Sequence, residues 1–505
     1  MILSGTPKAS GNRATLDDLF RRAGVRRADA LALVDPPDCE RLTGRPPRRL
    51  TYAEADRAIS AVAARLRSFG LQTDAVVAIQ LANTVDSIVA LLGVLRAGMI
   101  AVPLPLLWRA QETVNALTPI GAKAIITSSR IGAYRQAEIA MQVAAELFPI
   151  RYVCGFGRDL PDGVVPLDDG IDSGPLEFFQ PAARPEPAAH VAAATFDVRP
   201  DGTVPLARSH SELIAGGLVA FLEGGIARDA TILSTIPVGS FAGIALTLIP
   251  WLLSGGTLAL HHGFDPAAFA EQTRAFEPET IVLPGPALTP LAEAGLLGGS
   301  TKTILGLWRA PEKLAAADPW HGEAALVDIA SFGEIGLLPG RRGLDGMPAP
   351  LALGAIAVPH GAAESVAVAE TARNKTGTLV LRGPMVPTQP FPPSGDAETD
   401  ARVAPDGFLD TGYACKIARE AGTLALTAPP AGMTATGFYR FRQSEVDAVV
   451  AAADPAAVIV ALPDGLLGQR LAGRAADSAA ITAELEAYGV NALIAGAFRP
   501  RGIAA

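Results

Sequence analysis

Short apolar runs alternate with helical segments in the first third of the chain, and this alternation constrains the fold most strongly. Thr51 and Glu54 have the spacing of a capping box, in which hydroxyl and carboxylate each bond the other residue's backbone amide. Apolar residues then recur at helical spacing until Gly70. Four apolar runs follow, with helical stretches between them: 75–81, 100–104, 122–128 and 151–156. This order predicts β-α-β units and a parallel sheet that is covered on both faces.

The alternation resumes in the second half and then gives way to two other patterns. Three more apolar runs occur there: 230–237, 257–262 and 280–286. Residues 375–390 read as strands joined by turns, in a more antiparallel arrangement, and a small mixed unit begins near residue 430. We therefore predict an α/β fold with two domains. Residues 1–428 form a large domain of several subdomains with mostly parallel sheets, and residues 429–505 form a small α+β domain.

Composition and charge exclude several classes of function. The net charge is −9 and no stretch is rich in Lys and Arg, so nucleic acid is not an expected partner. The three cysteines lie far apart and form no CxxC pair, which fits a reducing compartment. Residues 241–260 carry no charge, but Pro250, Gly255 and Gly256 interrupt them, which favours a helix, a turn and a strand over a membrane span. No secretory signal is recognisable at the N-terminus. The expectation is a cytoplasmic protein without a membrane span.

Common catalytic signatures are absent from the sequence. It contains no GxxxxGK[ST] phosphate loop, no GxSxG nucleophile elbow and no HExxH metal motif. The nearest approach to the elbow, residues 239–243, has the wrong spacing. His261 and His262 are adjacent at the end of a predicted strand, and they are interpreted as structural or solvated rather than as metal ligands.

Residues 49–104 resemble the N-terminal subdomain of the adenylate-forming enzymes, which include acyl-CoA synthetases, luciferases and the adenylation domains of peptide synthetases. Later segments are similar to further blocks of that superfamily in the same order: 234–260, 264–288, 376–386, 406–412, 437–450 and 456–473. The resemblance implies an AMP-binding large domain and a C-terminal lid, which is short for the family. It also implies the activity of an acyl-CoA synthetase or fatty-acid–CoA ligase, which activates a carboxylic acid with ATP and transfers it to CoA.

The family's phosphate loop is strongly altered in this chain. The family pattern TSGTTGxPKG wraps the ATP phosphates with backbone amides and hydroxyls, beside a lysine. The corresponding residues 194–210 match it at only a few positions: Gly202, Thr203, Pro205 and His210. Asp197 and Asp201 add negative charge, Pro200 removes a backbone donor, and no lysine is present, so Arg208 (or Arg199) would have to replace it.

The family's adenine and magnesium motif, YGxTE, corresponds to residues 331–336, whose register is ambiguous. Here the resemblance implies that Phe332 stacks on adenine, that Gly333 borders the nucleotide and that Glu334 binds Mg²⁺. At the neighbouring motif, residues 305–314, Trp308 and Arg309 would crowd the nucleotide edge.

Three further family positions have changed. Tyr413 stands where an aspartate binds the ribose, and one phenol cannot grip two hydroxyls as a carboxylate does. Residues 428–432 lack the charged hinge motif, and no lysine follows Lys416, so Arg499 is the weak candidate for the catalytic cation near the C-terminus. The acid-substrate pocket would be lined by four residues: His210, Ser240, Phe241 and Gly243.

These changes leave three hypotheses open. The first is an acid–CoA ligase of unusual sequence, with ATP, Mg²⁺ and CoA as cofactors. The second is a protein that binds an acyl group or acyl thioester without catalysis, needs no cofactor and acts alone, as a homodimer or with a protein partner. The third is a transferase or hydrolase that reuses the cleft. Losing one positioned transition-state donor costs about 10²–10³ in rate, and several are altered here, so lost or altered ATP chemistry is favoured over ordinary adenylation.

Overall fold

The computed structural model describes residues 14–168, 184–360, 364–392, 403–437 and 439–499. Its first part confirms the predicted alternation, and the Thr51–Glu54 capping box is present. The elements in chain order are α1 (Leu16–Arg26), β1 (Leu31–Val34), α2 (Cys39–Thr43), β2 (Arg49–Thr51), α3 (Tyr52–Ser68), β3 (Val76–Ile79), α4 (Val85–Arg96), β4 (Ile100–Pro103), α5 (Ala110–Leu117), β5 (Ala124–Ser128), α6 (Gln136–Glu146), β6 (Tyr152–Phe156) and β7 (Val164–Pro166).

The middle of the chain begins with an antiparallel hairpin that the sequence analysis did not predict, and then continues the alternation. Its elements are β8 (Val191–Arg199), β9 (Gly202–Ser209), α7 (His210–Glu223), β10 (Thr231–Ser234), α8 (Phe241–Gly243), α9 (Ile249–Ser254), β11 (Thr257–Leu260), α10 (Pro266–Phe276), β12 (Thr280–Pro284), α11 (Leu288–Glu293), β13 (Thr303–Trp308), β14 (Ala325–Phe332) and β15 (Gly336–Arg341). A π-helical turn at Ile244–Leu248 joins α8 to α9, and Gly255 ends the helix in the left-handed conformation. Residues 241–260 are thus a helix, a turn and a strand, as predicted.

The last part is rich in antiparallel strands. Its elements are β16 (Leu351–Ala352), β17 (Gly354–His360), β18 (Glu364–Arg373), β19 (Thr378–Arg382), β20 (Leu409–Ala418), β21 (Thr423–Ala428), β22 (Met433–Thr436), β23 (Tyr439–Arg442), α12 (Gln443–Ala453), β24 (Val458–Asp464), β25 (Gly468–Arg474), α13 (Ser478–Ala487) and α14 (Ala492–Ala495). Residues 441–498 hold an apolar cluster of their own. The domain boundary at residue 428 stays a prediction.

Two large, mostly parallel sheets form the scaffold. One has the order β7-β6-β5-β3-β4-β8-β9 and the other β15-β14-β13-β12-β10-β11-β1-β2, while β16 to β21 form a third, antiparallel sheet. Helix α4 is buried along its whole length, and its side chains share one core cluster with strands of both large sheets. A mostly apolar helix needs cover all round, which a position between two sheets provides, and its charged residues Asp86 and Arg96 are buried in ion pairs. The predicted α/β fold class is therefore confirmed. Within the described residues, no helix is both long and apolar enough to cross a bilayer.

Candidate functional site

A cavity of about 680 Å³ lies at the carboxyl ends of the parallel strands. Its walls come mainly from the loops that follow β4, β5, β10, β11, β12, β13 and β14. Most of the lining is apolar, with a few polar side chains among it. Ligands of open α/β sheets bind in crevices at these strand ends, so the cavity is the candidate site.

The C-terminal part of the chain closes one wall of this cavity. Tyr439 and Arg440 on β23 belong to the lining, together with residues of the β24–β25 turn. The backbone amide of Leu107 donates a hydrogen bond of 2.8 Å to the Tyr439 hydroxyl. Farther along, the Asn491 amide donates to Glu112 at 3.0 Å. The two contacts fix the C-terminal part against the loop after β4 and against helix α5.

The altered phosphate-loop segment forms the hairpin of β8 and β9. The two strands pair in register up to Arg199 opposite Gly202, which leaves a turn of only two residues. Antiparallel pairing uses every second amide of each strand in the ladder and spaces the others along an extended backbone, so they are not gathered around an anion as in a loop. Arg442 donates to the Arg199 carbonyl and to the Thr203 hydroxyl, both at 3.5 Å. The candidates Gly202 and Thr203 therefore sit at a hairpin tip covered by Arg442, and neither belongs to the cavity lining.

Four polar residues meet at one end of the cavity: Asp197, Ser240, Arg309 and Glu334. Glu334 is buried, and its carboxylate accepts a hydrogen bond of 2.7 Å from the Phe241 amide. Burial raises the pKa of Glu334, and the positive charge of Arg309 opposes that shift. Arg309 donates to the Ser240 hydroxyl at 2.8 Å, while its Nε is buried with no hydrogen-bond partner among the described residues. This end of the cavity thus combines a buried carboxylate with a guanidinium that retains an unused donor.

Position 333 requires a glycine, because its backbone has a positive φ and its neighbours leave no space for a Cβ. Its φ is +60°, and a Cβ there would lie 2.5 Å from both Asp197 Oδ1 and Arg440 Nη1. Asp197 also accepts a hydrogen bond of 3.2 Å from the Glu334 amide. The glycine therefore allows Asp197 and Arg440 to approach the turn that carries Glu334.

Arg208, the candidate replacement for the phosphate lysine, does not reach the cavity. It is fully buried, donates to the carbonyls of Met385 and Glu334, and stacks 3.8 Å from the centre of the Phe241 ring. Burial lowers the pKa of its guanidinium to about 10. Phe241 itself lies in the core, and a Cβ on Gly243 would lie 1.9 Å from the Pro237 carbonyl oxygen. Neither Phe241 nor Gly243 lines the cavity, so among the predicted pocket residues Ser240 alone does.

The candidates for adenine and ribose pack against each other. Phe332 and Tyr413 are each 1% exposed, and their rings meet edge to face with centroids 5.4 Å apart. Neither lines the cavity. Burial raises the pKa of Tyr413 to about 12. Phe332 and Tyr413 therefore pack as core residues, and neither ring is open to a nucleotide in the cavity.

Trp308 also has structural partners. Its indole Nε1 donates to Asp328 at 2.8 Å, and Arg342 donates to the same carboxylate at 2.7 Å. Trp308 lines a second cavity of about 570 Å³, and Arg309 lines both cavities.

Two remaining candidates lie elsewhere. The His210 Nδ1 accepts a hydrogen bond of 3.3 Å from the Leu16 amide, and burial lowers its pKa to about 4. It is not part of the cavity lining. Arg499 pairs with Glu486 in the C-terminal part and does not line the cavity either.

Several polar residues of the lining were not predicted, including Gln136 and Arg440, and His262 was interpreted as structural or solvated. The alternation Tyr-Arg-Phe-Arg at 439–442 is a strand pattern that points arginines to one face, and it could have identified Arg440. No local pattern marks Gln136.

These residues fit Mg²⁺-ATP poorly. The hairpin ladder holds every second amide of the phosphate-loop segment in an extended strand, and the Glu334 carboxylate already accepts a hydrogen bond from the Phe241 amide. The phosphates would also meet the carboxylates of Asp197 and Glu334.

Comparisons with known proteins agree with the fold. Residues 20–154 match the family model of AMP-binding enzymes. A feruloyl-CoA synthase from Amycolatopsis sp is 27% identical over 234 residues, which are 46% of this chain and 43% of that protein. The matched part thus spans less than half of that curated relative.

Two solved structures share the fold across nearly the whole chain. The amide bond synthetase McbA from Marinactinospora thermotolerans has a TM-score of 0.69 at 18% identity and covers 94% of both chains. ATP-bound MatB from Rhodopseudomonas palustris has a TM-score of 0.62 at 18% identity, covering 94% of this chain and 92% of that one. The chain therefore shares the fold of adenylate-forming enzymes, and its residues 20–154 match the family model of AMP-binding enzymes.

Proposed function

We propose that the protein binds a carboxylic acid or its thioester in the cavity and does not adenylate it with Mg²⁺-ATP. The observation that carries this proposal is the β8–β9 hairpin, which pairs as far as Arg199 and Gly202 where the family has an open phosphate loop. A hairpin with a two-residue turn holds every second amide in its ladder and leaves the others spaced along extended strands, so it does not gather amides around an anion. Ground-state binding of the nucleotide is therefore lost before any question of turnover arises.

The apolar lining and Arg309 support the other half of the proposal. The cavity is large enough for a small organic ligand, and an apolar lining with few polar groups is typical of such sites. Arg309 is the cation with an unused Nε donor at the cavity's polar end. A guanidinium binds a carboxylate through two parallel hydrogen bonds, so we assign it the acid group or the thioester carbonyl.

The alternative is an acid–CoA ligase that uses ATP, as the superfamily does. Acid-dependent exchange between ATP and pyrophosphate separates the two functions directly. We expect no exchange above background with a panel of aryl and alkyl acids. We also expect little change in melting temperature with millimolar Mg²⁺-ATP, because stabilisation follows RT ln(1 + [L]/Kd). Acid-dependent exchange, or a shift of several degrees with sub-millimolar ATP, would overturn the proposal.

The role of Arg309 is tested by Arg309→Met with Lys313→Met as its matched control. Both variants remove one positive charge, but Lys313 lines only the second cavity. We expect Arg309→Met to weaken the binding of an acid by about tenfold to a hundredfold, the range for a lost hydrogen bond to a charged group. Lys313→Met should bind as the wild type does. Calorimetry that finds equal acid affinity in both variants would remove Arg309 from the site.

A further inference from the structure

His262 offers an unused hydrogen-bond donor in the cavity lining. The Asn83 amide donates to His262 Nδ1 at 3.3 Å, so Nδ1 is the acceptor of the ring. Burial lowers the pKa of His262 to about 4, and the neutral ring therefore carries its hydrogen on Nε2. Among the described residues no partner is found for Nε2, although the side chain lines the cavity.

The neighbouring residue His261, by contrast, has a hydrogen-bond partner at each ring nitrogen. His261 Nδ1 contacts the Gln272 side-chain oxygen at 2.7 Å, and the Asp265 amide donates to its Nε2 at 3.4 Å. Gln272 in turn donates to the Leu260 carbonyl, which fixes the orientation of its amide. Both nitrogens of His261 are thus used by the protein, whereas one nitrogen of His262 is not.

Gln136 offers an unused acceptor in the same lining. Gln80 donates through Nε2 to the carbonyls of Pro105 at 2.9 Å and Trp108 at 3.0 Å, so its other amide atom must be the oxygen. That oxygen accepts from Gln136 Nε2, which fixes the Gln136 amide as well. The remaining atom, Gln136 Oε1, is buried and has no hydrogen-bond partner in the described structure. Because such a group costs free energy, a ligand donor that reaches it gains affinity.

His262 lies far across the cavity from Arg309. Arg309 follows β13 and His262 follows β11, and the sheet order β13-β12-β10-β11 separates these strands by three steps. At about 4.8 Å per step the two backbone positions are roughly 14 Å apart. Apolar side chains line the wall between them: Pro237, Leu283, Ala287 and Leu291. The cavity therefore fits an elongated apolar ligand with a polar group at each end.

We propose that this ligand is a hydroxy acid or its thioester, with the carboxyl group at Arg309 and the hydroxyl group at the end where the loop after β3 holds His262 through Asn83 and Gln136 through Gln80. A hydroxyl can accept from His262 Nε2–H, and it can donate to buried Gln136 Oε1 once that side chain shifts towards the cavity. This inference rests on the proposed function, because it names the substrate class of the same cavity. A site built to hydrogen-bond a hydroxyl discriminates strongly against the analogue that lacks it.

The test uses matched acids with and without the hydroxyl group. The pairs are decanoic and 10-hydroxydecanoic acid, and cinnamic and 4-hydroxycinnamic acid, measured by calorimetry on the full chain. We expect the hydroxylated member of at least one pair to bind at least tenfold more tightly than its parent. His262→Leu should abolish that preference. His262→Gln should keep part of the preference, because its Nε2 donor replaces that of the ring, and exposed His321→Leu is the control.

The outcomes separate this inference from the proposed function. If no acid binds the folded wild type, the proposed function fails. If parent acids bind but the hydroxyl brings no gain in either pair, the hydroxy-acid inference alone is overturned. It is also overturned if folded His262→Leu keeps the full preference for the hydroxylated acid. The same holds if folded His262→Gln loses that preference as completely as His262→Leu does.

Discussion

Replacing Tyr413 with aspartate restores the family's ribose-binding residue type and asks whether the nucleotide cleft is vacant or filled. Tyr413 is 1% exposed, and its ring packs edge to face on Phe332 and lies 5.7 Å from the Arg440 guanidinium. Removing a buried aromatic ring costs about 3–5 kcal/mol, with roughly 0.5–1.5 kcal/mol from the ring pair itself. The new carboxylate would also be buried, and Arg440 would offset only part of its desolvation. We expect Tyr413→Asp to lower the free energy of unfolding by about 3–5 kcal/mol and to bring no affinity for ATP.

The assay is urea denaturation followed by a thermal shift with Mg²⁺-ATP. Tyr413→Phe is the matched control, because it keeps the ring and should cost less than about 1.5 kcal/mol. The reasoning is refuted if Tyr413→Asp is as stable as Tyr413→Phe and melts several degrees higher with sub-millimolar ATP. That result would mean that the cleft behind the ring pair is open and only eroded.

Two further predictions concern stability. The pKa of buried His210 is lowered to about 4, so its neutral form stabilises the fold fully above pH 6.5, and this contribution is lost as the pH falls from 6.5 towards 4. His210→Gln should therefore show a shallower loss of stability over that interval in urea titrations; an unchanged slope would contradict the assignment. Asp328→Ala leaves the guanidinium of Arg342 buried without its carboxylate and should destabilise the fold by about 3–5 kcal/mol. A denaturation midpoint close to that of the wild type would show that Arg342 finds another partner.

The elements that the sequence predicts well are those with a local cause. The capping box at Thr51 and Glu54 marks the start of α3, and Gly255 marks the end of α9, because each acts on its own backbone. The hairpin of β8 and β9 was missed because Pro200 and Asp201 read as part of a loop. The hairpin is stabilised by pairing between its two strands, and neither strand has a regular strand pattern in its own sequence.

The site was harder to predict because its contacts join distant parts of the chain. Phe332 and Tyr413 are 81 positions apart in sequence, and nothing near either residue indicates that they pack together. His262 is adjacent to His261 in sequence, and the two differ in partners that no local pattern shows: Gln272 and Asp265 for His261, and the Asn83 amide for His262. The roles implied for Glu334 and the other candidate site residues remain predictions.

The wall formed by Tyr439 and Arg440 has a kinetic consequence. Where a bound molecule can leave only after β23 detaches from the loop that carries Leu107, that detachment sets its release rate. Residence time and affinity are then controlled separately. Weakening the hydrogen bond of the Tyr439 hydroxyl shortens the residence time, because it accelerates release and entry together. The equilibrium constant then stays nearly unchanged.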